Sequence, residues 1–277
     1  MTSTPRAEIG VIGGSGFYEF LDGAEPVRVE TPFGEPSDDL VVGELRGRRV
    51  AFVARHGKGH RFPPHLVPYR ANLWALRSLG VRQVLAPCAV GSLRRELGPG
   101  TVVVVDQVVD RTWGRPHTVY DELGAVAHVG FADPYCPRGR SVAVRSARDA
   151  GLRVEDGGTL VVVNGPRFSS RAESRWHQQA GWSVVGMTGM PEAAIARELA
   201  MCFTTVALVT DLDAGVEREA GVTHEEVLRV FAQNIEGLKT VLTDAVEALP
   251  PAESDADATC ACRRSLDGLT LPFPLPT

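Results

Sequence analysis

The chain has 277 residues, 44% of them hydrophobic, which is enough to bury the core of one large domain or two small ones. Its formal net charge of −5, with no run of basic residues, argues against nucleic acid as a partner. No apolar stretch is as long as a membrane span, and the N-terminal MTSTPRAE lacks the pattern of a secretory signal. We therefore expect a cytoplasmic protein that binds neither nucleic acid nor membrane.

A glycine-rich segment follows the first predicted strand, which covers residues 8–13. The strand runs directly into Gly13-Gly14-Ser15-Gly16. Such loops let backbone N–H groups surround an anion, and Ser15 adds a hydroxyl donor. The spacing differs from the G-x-G-x-x-G pattern of dinucleotide-binding folds. A phosphate site and a tight turn without a ligand are both compatible with this segment.

Short β-branched runs alternate with longer helical patterns along the rest of the chain. The continuous VVVV run at 102–105 indicates a strand buried on both faces, as in an α/β sheet covered by helices. The further predicted strands are 48–54, 82–87, 101–106, 159–163, 182–186 and 202–209. The predicted helices are 67–79, 137–151, 170–180, 191–199 and 223–248. These elements predict a single α/β domain over 1–249, followed by a proline-rich, apolar C-terminal extension over 250–277.

The five cysteines are scattered and odd in number, which does not fit the disulfide framework of a secreted protein. They are Cys88, Cys136, Cys202, Cys260 and Cys262. The Cys260-Ala-Cys262 pair could be a redox pair or half of a metal site. Because the sequence contains no second close pair, we expect it to lie in a mobile surface segment.

Polar and small residues stand where several predicted strands end, which is where α/β sheets bind ligands. Arg55 and His56 follow the strand over 48–54, and a guanidinium beside an imidazole suits an oxyanion. The alternative is a surface arginine and a histidine satisfied within the core. Cys88 and Ala89 follow the next strand, and Thr188 offers a hydroxyl after the strand over 182–186.

Two carboxylates, Asp211 and Asp213, follow the strand over 202–209. Carboxylates at a buried strand end are unfavourable unless they bind something or are protonated, although a simple turn pair is the alternative. The turn at 164–168 presents Phe168 either as an aromatic platform for a ligand or as a core side chain.

Taken in order, these segments resemble the trimeric nucleoside phosphorylases. The similar stretches are IGVIGGSGFYEF from residue 9, ETPFGEPSDDL at 30–40, ARHGKGH at 54–60, YRANLWALRSLGV at 69–81, VGSLRRELGPG at 90–100, DQVVDRTWGRP at 106–116, NGPRFSSRAES at 164–174, MTGMPEA at 187–193 and TDLDAG at 210–215. The resemblance implies a mixed central β-sheet flanked by helices and a homotrimer, with a hexamer as the alternative. It implies that the C-terminal extension packs on its own domain or on a neighbouring subunit.

The resemblance also implies a reaction, in which orthophosphate attacks the ribosyl carbon C1′ and a purine leaves. The partners would be a small nucleoside and orthophosphate as co-substrate, with no cofactor and no metal. Phosphate would be held by Ser15, Arg55, His56, Cys88, Ala89 and Thr188. The purine and ribose would be bound by Phe168, Ser169, Met187, Asp211 and Asp213. The pocket for the 5′ group would contain His60, His128, His224 and Leu228, with His128 supplied by a neighbouring subunit.

Asp211 is the expected catalytic residue, supported by Asp213. Its carboxyl group would hydrogen-bond to N7 and the 6-amino group of the purine, with a pKa raised by burial. A carboxylate accepts from a 6-amino group but opposes the 6-oxo oxygen of hypoxanthine or guanine, so we expect a 6-aminopurine. The resemblance favours S-methyl-5′-thioadenosine as the substrate.

Two positions depart from the pattern of the enzymes that act on this substrate. Cys88 stands where they carry a hydroxyl residue in the phosphate site. His224 stands where they are apolar, whereas a histidine in similar 6-oxopurine enzymes binds the ribose 5′-hydroxyl. Adenosine, 5′-deoxyadenosine, a 5′-halo-adenosine and methylthioinosine are therefore alternative substrates. Similar proteins from thermophiles also carry a C-x-C pair, so a disulfide between Cys260 and Cys262 stays open.

Overall fold

Eleven strands and five helices are found in the computed structural model, which describes residues 6–14, 21, 24–124, 126–216, 222–251, 254 and 259–276. The strands are β1 (Ile9–Gly13), β2 (Glu25–Val27), β3 (Leu40–Leu45), β4 (Arg48–Ala54), β5 (Gln83–Ser92), β6 (Val102–Val104), β7 (Gln107–Arg111), β8 (Val154–Asp156), β9 (Thr159–Val163), β10 (Val184–Gly186) and β11 (Cys202–Leu212). The helices are α1 (Tyr69–Ser78), α2 (Pro137–Asp149), α3 (Arg171–Gln179), α4 (Glu192–Glu198) and α5 (His224–Ala248).

All eleven strands form one mixed sheet, in which β5 is the central strand. The main path is β2-β3-β4-β1-β5-β10-β9-β7, and β11 joins β5 to a second branch that contains β6 and β8. β5 pairs in parallel with β1 at its start and with β11 along its length, and it pairs antiparallel with β10 at its end. The predicted single α/β fold with a mixed sheet is therefore confirmed.

Helices cover both faces of this sheet. Successive strand residues point to opposite sides, so a continuously apolar strand has apolar side chains to bury on both faces. Ile12 belongs to a core cluster that contains side chains from α1 and α4. Its neighbour Val11 belongs to a second cluster that contains side chains from α2 and α5. Val102, Val103, Val104 and Val105 are each fully buried, as the continuous apolar run predicts. Within the described ranges, every helix is too short or too polar to traverse a lipid bilayer.

The five predicted helices and seven predicted strands are all present, but sequence reasoning missed four strands. β2 and β8 have only three residues each, and β7 is largely exposed. The apolar sequence pattern of β3 is interrupted by Gly43 and Glu44, two residue types that are depleted in strands. Such strands depend on pairing with a neighbour, which a local sequence pattern does not reveal.

The described part of the C-terminal segment, residues 259–276, contacts the α/β domain of the same chain. The Phe273 ring packs against Trp74 and Tyr120, with ring centroids 5.8 and 5.1 Å apart. Arg77 Nη1 donates a hydrogen bond to the carbonyl of Pro276 at 2.9 Å. Cys260 and Cys262 are 3% and 2% exposed, so the prediction of a mobile surface segment is wrong for this pair. Their contacts come from residues distant in sequence, which is why the local pattern was misleading.

Candidate active site

A cavity of about 420 Å³ contains nearly all the residues that the sequence singled out. The predicted residues that line it are Arg55, His56, His60, Cys88, Ala89, Phe168, Ser169, Met187, Thr188, Asp211, Asp213, His224 and Leu228. Ser15 lies outside the described residues, and Gly14 just before it lines the cavity. His128 is exposed between β7 and α2 and does not line this cavity, so its expected entry into a neighbouring subunit's pocket stays a prediction.

The direction of β10 explains how Thr188 reaches the residues at the end of β4. Because β10 runs antiparallel to β5, with Val185 opposite Gly91, the chain beyond β10 runs back along β5. A Cβ on Gly186 would lie 3.3 Å from Val90 Cγ1, so glycine permits this close approach. Met187 and Thr188 therefore reach the cavity from a strand that runs opposite to the central one, which the sequence did not predict.

Arg55 forms a buried ion pair that the sequence did not reveal. Its Nε donates to Glu192 Oε1 at 2.6 Å and its Nη2 to Glu192 Oε2 at 3.2 Å, while Nη1 donates to the Pro87 carbonyl at 2.9 Å. Burial by itself lowers the pKa of Arg55, but the Glu192 carboxylate outweighs it and leaves this pKa raised. Three of the five guanidinium N–H groups are thus occupied, and two stay available to an anion.

His56 is a neutral imidazole near pH 7. Burial is the largest cause that lowers its pKa to about 4, and the nearby Arg55 charge adds to the effect. Its Nδ1 lies 2.9 Å from the Phe62 carbonyl, which assigns the proton to Nδ1 and leaves Nε2 as an acceptor. Nε2 can therefore accept a hydrogen bond from a protonated phosphate oxygen or a sugar hydroxyl.

Cys88 also stays neutral, because burial raises the pKa of its thiol to about 12. A neutral thiol is a weaker hydrogen-bond donor than the hydroxyl expected at this position. The backbone at Ala89 lies beside it on β5, where the strand is less tightly covered. This part of the cavity therefore offers few formal charges and mostly neutral hydrogen-bonding groups.

A register shift between β5 and β11 places Asp211 in the cavity wall. Val209 pairs with Val90 and Asp211 with Gly91, so Thr210 is an extra residue in β11. Such a bulge redirects the side chains that follow it. A Cβ on Gly91 would lie 2.9 Å from Asp211 Oδ1, so glycine allows the carboxyl group to lie this close to β5.

The Asp211 carboxyl group is 6% exposed as a residue and has a strongly perturbed pKa. Burial raises this pKa to about 6, against the opposing effect of the Thr210 hydroxyl, which donates to Oδ2 at 2.8 Å. The neighbouring Asp213 carboxylate raises it further. Asp211 can therefore exchange a proton close to neutral pH, as a general acid requires.

Asp213 is held behind Asp211 by the end of the same strand. Its backbone N–H donates to the Ser92 carbonyl at 2.9 Å. Burial raises its pKa, while the hydroxyl groups of Ser169 and Ser174 oppose that shift. Among the described residues, Asp213 Oδ2 has no hydrogen-bond partner, so one buried acceptor is left for a ligand donor.

The far part of the cavity combines imidazole and apolar groups. The His56 and His60 rings stack with centroids 4.1 Å apart, and burial together with the nearby His224 lowers the pKa of His60. His224 is the first residue of α5, and Leu228 lies one turn further along the helix, 48% exposed. This wall is therefore mixed rather than purely apolar.

Arg115 is a positioning residue that sequence reasoning did not identify as part of the site. Its guanidinium donates to the carbonyls of Met190 at 2.6 Å, Met187 at 2.9 Å and Asn164 at 3.0 Å. It also donates to the Tyr69 hydroxyl at 3.1 Å. Arg115 thereby joins the segments that carry Phe168 and Thr188. Arg115 lies in the DQVVDRTWGRP stretch at 106–116, which resembles the family, and this was the sequence signal that could have identified it.

The buried ion pair gives a stability prediction. Glu192→Gln should lower the free energy of unfolding by about 3 kcal/mol, because it leaves the Arg55 charge buried without its partner. The matched control is Glu173→Gln, which breaks the largely exposed pair with Arg167 and should have a clearly smaller effect. Denaturant unfolding at equal protein concentration measures both variants, and equal losses would contradict the assigned role of Glu192.

Comparison with known proteins gives the family. The model of the phosphorylase superfamily matches residues 8–247. A protein of Streptomyces coelicolor named purine nucleoside phosphorylase is 59% identical over the full length of both chains. One of Mycolicibacterium smegmatis named S-methyl-5′-thioadenosine phosphorylase is 54% identical over 97% of this chain and 99% of its own. The crystal structure of a methylthioadenosine phosphorylase from an Antarctic soil metagenomic library has a TM-score of 0.89, with 40% identity over 98% of this chain and 94% of that one. The chain belongs to the phosphorylase superfamily and is a phosphate-dependent nucleoside phosphorylase.

Proposed function

We propose that the chain cleaves S-methyl-5′-thioadenosine with orthophosphate to give adenine and 5-methylthioribose 1-phosphate. The observation that carries this proposal is the buried Asp211 carboxyl group, with its pKa raised to about 6, in one cavity with Arg55 and Thr188. A relative of Mycolicibacterium smegmatis that is named for this substrate supports the proposal. We further propose a homotrimer in which His128 of each subunit reaches its neighbour's pocket.

The phosphate would lie against the residues at the ends of β4 and β5. Arg55 has two N–H groups left for the anion, and Thr188 adds a hydroxyl. The neutral His56 would accept the remaining proton of the hydrogen phosphate through Nε2. These contacts hold the nucleophile in place and also put negative charge near the ribosyl carbon, where positive charge develops.

In the proposed reaction a phosphate oxygen forms a bond to C1′ while the bond from C1′ to purine N9 breaks. The bonding electrons move onto the purine, which then needs a proton. Asp211 in its acid form would hydrogen-bond to N7 and supply that proton as the base leaves. The phosphate oxygen that attacks C1′ ends in the sugar phosphate ester, so no cofactor and no further reactant is needed.

The carboxyl groups of Asp211 and Asp213 favour a 6-aminopurine. A 6-amino group can donate to a carboxyl oxygen, and Asp213 Oδ2 is a buried acceptor that has no partner among the described residues. A 6-oxo group would place an acceptor against an acceptor, and such buried mismatches discriminate by orders of magnitude. Phe168 would pack against the face of the base.

His224 favours a second candidate function, the same phosphorolysis of adenosine or of another 5′-modified adenosine. An imidazole in the wall of the 5′ pocket can hydrogen-bond to a hydroxyl group, which a methylthio group cannot match. The relative of Streptomyces coelicolor that is named purine nucleoside phosphorylase is compatible with this alternative. Methylthioinosine is the remaining candidate substrate.

Base release from four nucleosides, with and without orthophosphate, tests the proposal. Methylthioadenosine, adenosine, 5′-deoxyadenosine and methylthioinosine are compared by kcat/KM. We expect release to require phosphate and to be fastest with methylthioadenosine. Preference for adenosine would favour the second candidate, and preference for methylthioinosine would contradict the role given to Asp211. Release without phosphate would contradict phosphorolysis.

Asp211→Asn should lower kcat/KM for methylthioadenosine by a factor of about 100 or more, because it removes the proton donor for N7. The loss with methylthioinosine should be much smaller, since an amide N–H can donate to the 6-oxo group. Asp149→Asn, an exposed change at the end of α2, is the control. Equal losses on both substrates would remove the base-reading role of Asp211.

His224→Val should raise the ratio of kcat/KM for methylthioadenosine over adenosine by a factor of about 10, because a polar wall becomes apolar. His117→Val, outside the cavity, serves as the matched control and should leave the ratio unchanged. Steady-state kinetics with both nucleosides gives the ratio. If it does not move in His224→Val, the imidazole does not read the 5′ group.

A further inference from the structure

Four cysteines from three separate parts of the chain meet where the C-terminal segment packs on the α/β domain, and none of them lines the cavity of the candidate active site. This four-cysteine cluster consists of Cys136, Cys202, Cys260 and Cys262, all of them buried. Cys136 precedes α2, Cys202 begins β11, and the other two come from residues 259–276. In the part of the chain that the structure describes, it is the only group of histidine, cysteine and acidic side chains arranged to hold a metal ion.

The four sulfur atoms form one compact group, and none of these cysteines is in a disulfide in the structure. All four Sγ atoms lie within 4.8 Å of one another. Cys260 Sγ is 3.8 Å from Cys136 Sγ and 3.6 Å from Cys202 Sγ, so it lies at nearly the same distance from both. Four thiolates bound tetrahedrally to zinc at about 2.3 Å are about 3.8 Å apart. The observed separations therefore fit a single ion at the centre of the cluster.

The backbone around the cluster fixes the four ligands. The Cys136 N–H donates to the Phe203 carbonyl at 2.9 Å, which ties this cysteine to the strand residue next to Cys202. A Cβ on Gly139 would lie only 2.0 Å from Thr204 Oγ1, so glycine allows α2 to begin against β11. In the C-terminal segment, the Arg263 N–H donates to the Cys260 carbonyl and closes a turn around the second pair of sulfur atoms.

The surroundings also favour negative charge on the sulfur atoms. The N-terminal end of α2 points at Cys136 Sγ, which accepts a hydrogen bond from the Gly139 N–H at 3.5 Å. Arg197 Nη2 lies 3.8 Å from Cys262 Sγ. Four thiolates around one divalent ion carry a net charge of minus two, which the arginine and the helix end partly offset.

We propose that the four-cysteine cluster binds one Zn²⁺ ion in a closed structural site that fastens the C-terminal segment to the α/β domain. Tetrahedral sets of four sulfur ligands are typical of structural zinc. On binding, each thiol loses its proton to solvent and forms a bond from sulfur to zinc, with no change of oxidation state. This site departs from the expectation of a protein without metal, and it takes no part in the proposed reaction.

The metal content of the full-length protein, purified with a thiol reductant and reloaded with zinc chloride, tests the proposal. Elemental analysis after dialysis should give about one zinc per chain. X-ray absorption at the zinc edge should show sulfur neighbours at about 2.3 Å. The double variant Cys260→Ser/Cys262→Ser should lose nearly all the zinc, whereas Cys88→Ser, a buried cysteine outside the cluster, should keep it.

Removal of the ion from the unmodified chain provides a readout that needs no variant. Chelation should make residues 259–276 accessible to limited proteolysis, and zinc should restore protection. The proposal would be overturned if the protein held no zinc and its four cysteines were free thiols. It would also be overturned if the protein held no zinc and its mass showed the loss of four thiol hydrogens, which indicates two disulfides. Iron in place of zinc would overturn the identity of the ion.

Discussion

The buried ion pair between Arg55 and Glu192 is the contact on which the cavity depends. Neither side chain is more than 2% exposed, and the pair joins the end of β4 to the first turn of α4. A third hydrogen bond, from Arg55 to the Pro87 carbonyl, connects β5 to the same pair. Because two buried charges tolerate little displacement, the pair fixes three elements at once. The segment that carries Thr188 leads directly into α4 and is thereby fixed as well.

Burial shifts the pKa values of the titratable groups in the cavity, each in the direction that favours the neutral form. It lowers the pKa of His56 to about 4 and raises the pKa of Cys88 to about 12, so both are neutral near pH 7. It raises the pKa of Asp211 to about 6, which leaves part of this group protonated near neutral pH. A cavity of this kind can take up an anionic nucleophile and an uncharged nucleoside without a large unbalanced charge.

The separation between these groups follows from the sheet. Arg55 and His56 continue β4, whereas Asp211 ends β11 on the other side of the central strand β5. In the proposed reaction, a nucleophile held at the end of β4 and a proton donor held at the end of β11 would act on one substrate from two directions. The register shift at Thr210 and the missing side chain at Gly91 give Asp211 its position. The geometry of the proposed site thus depends on strand pairing more than on loops.

The sequence predicted the helices and the buried strands, and nearly all the site residues that it predicted do line the cavity, because strand ends in an α/β sheet converge. It did not predict Glu192 or Arg115, since nothing local marks a charged side chain as the buried partner of a distant group. It also missed that β10 runs antiparallel to β5, a choice made by long-range pairing. The cysteine pair at 260 and 262 was misjudged for the same reason, as its neighbours precede it by 58 residues or more. Short and exposed strands such as β7 carry too few apolar residues to stand out.

The pH dependence of kcat/KM in the unmodified chain and in Asp211→Asn tests the central claim most directly. The acid form of a carboxyl group with a pKa of about 6 decreases tenfold for each further pH unit above that value. Orthophosphate ionises in the same range, but it does so equally for both proteins, so their ratio isolates Asp211. We expect that kcat/KM of the unmodified chain, divided by that of the variant, falls between about pH 6 and pH 9. A ratio that stays constant over this range would contradict proton donation by Asp211.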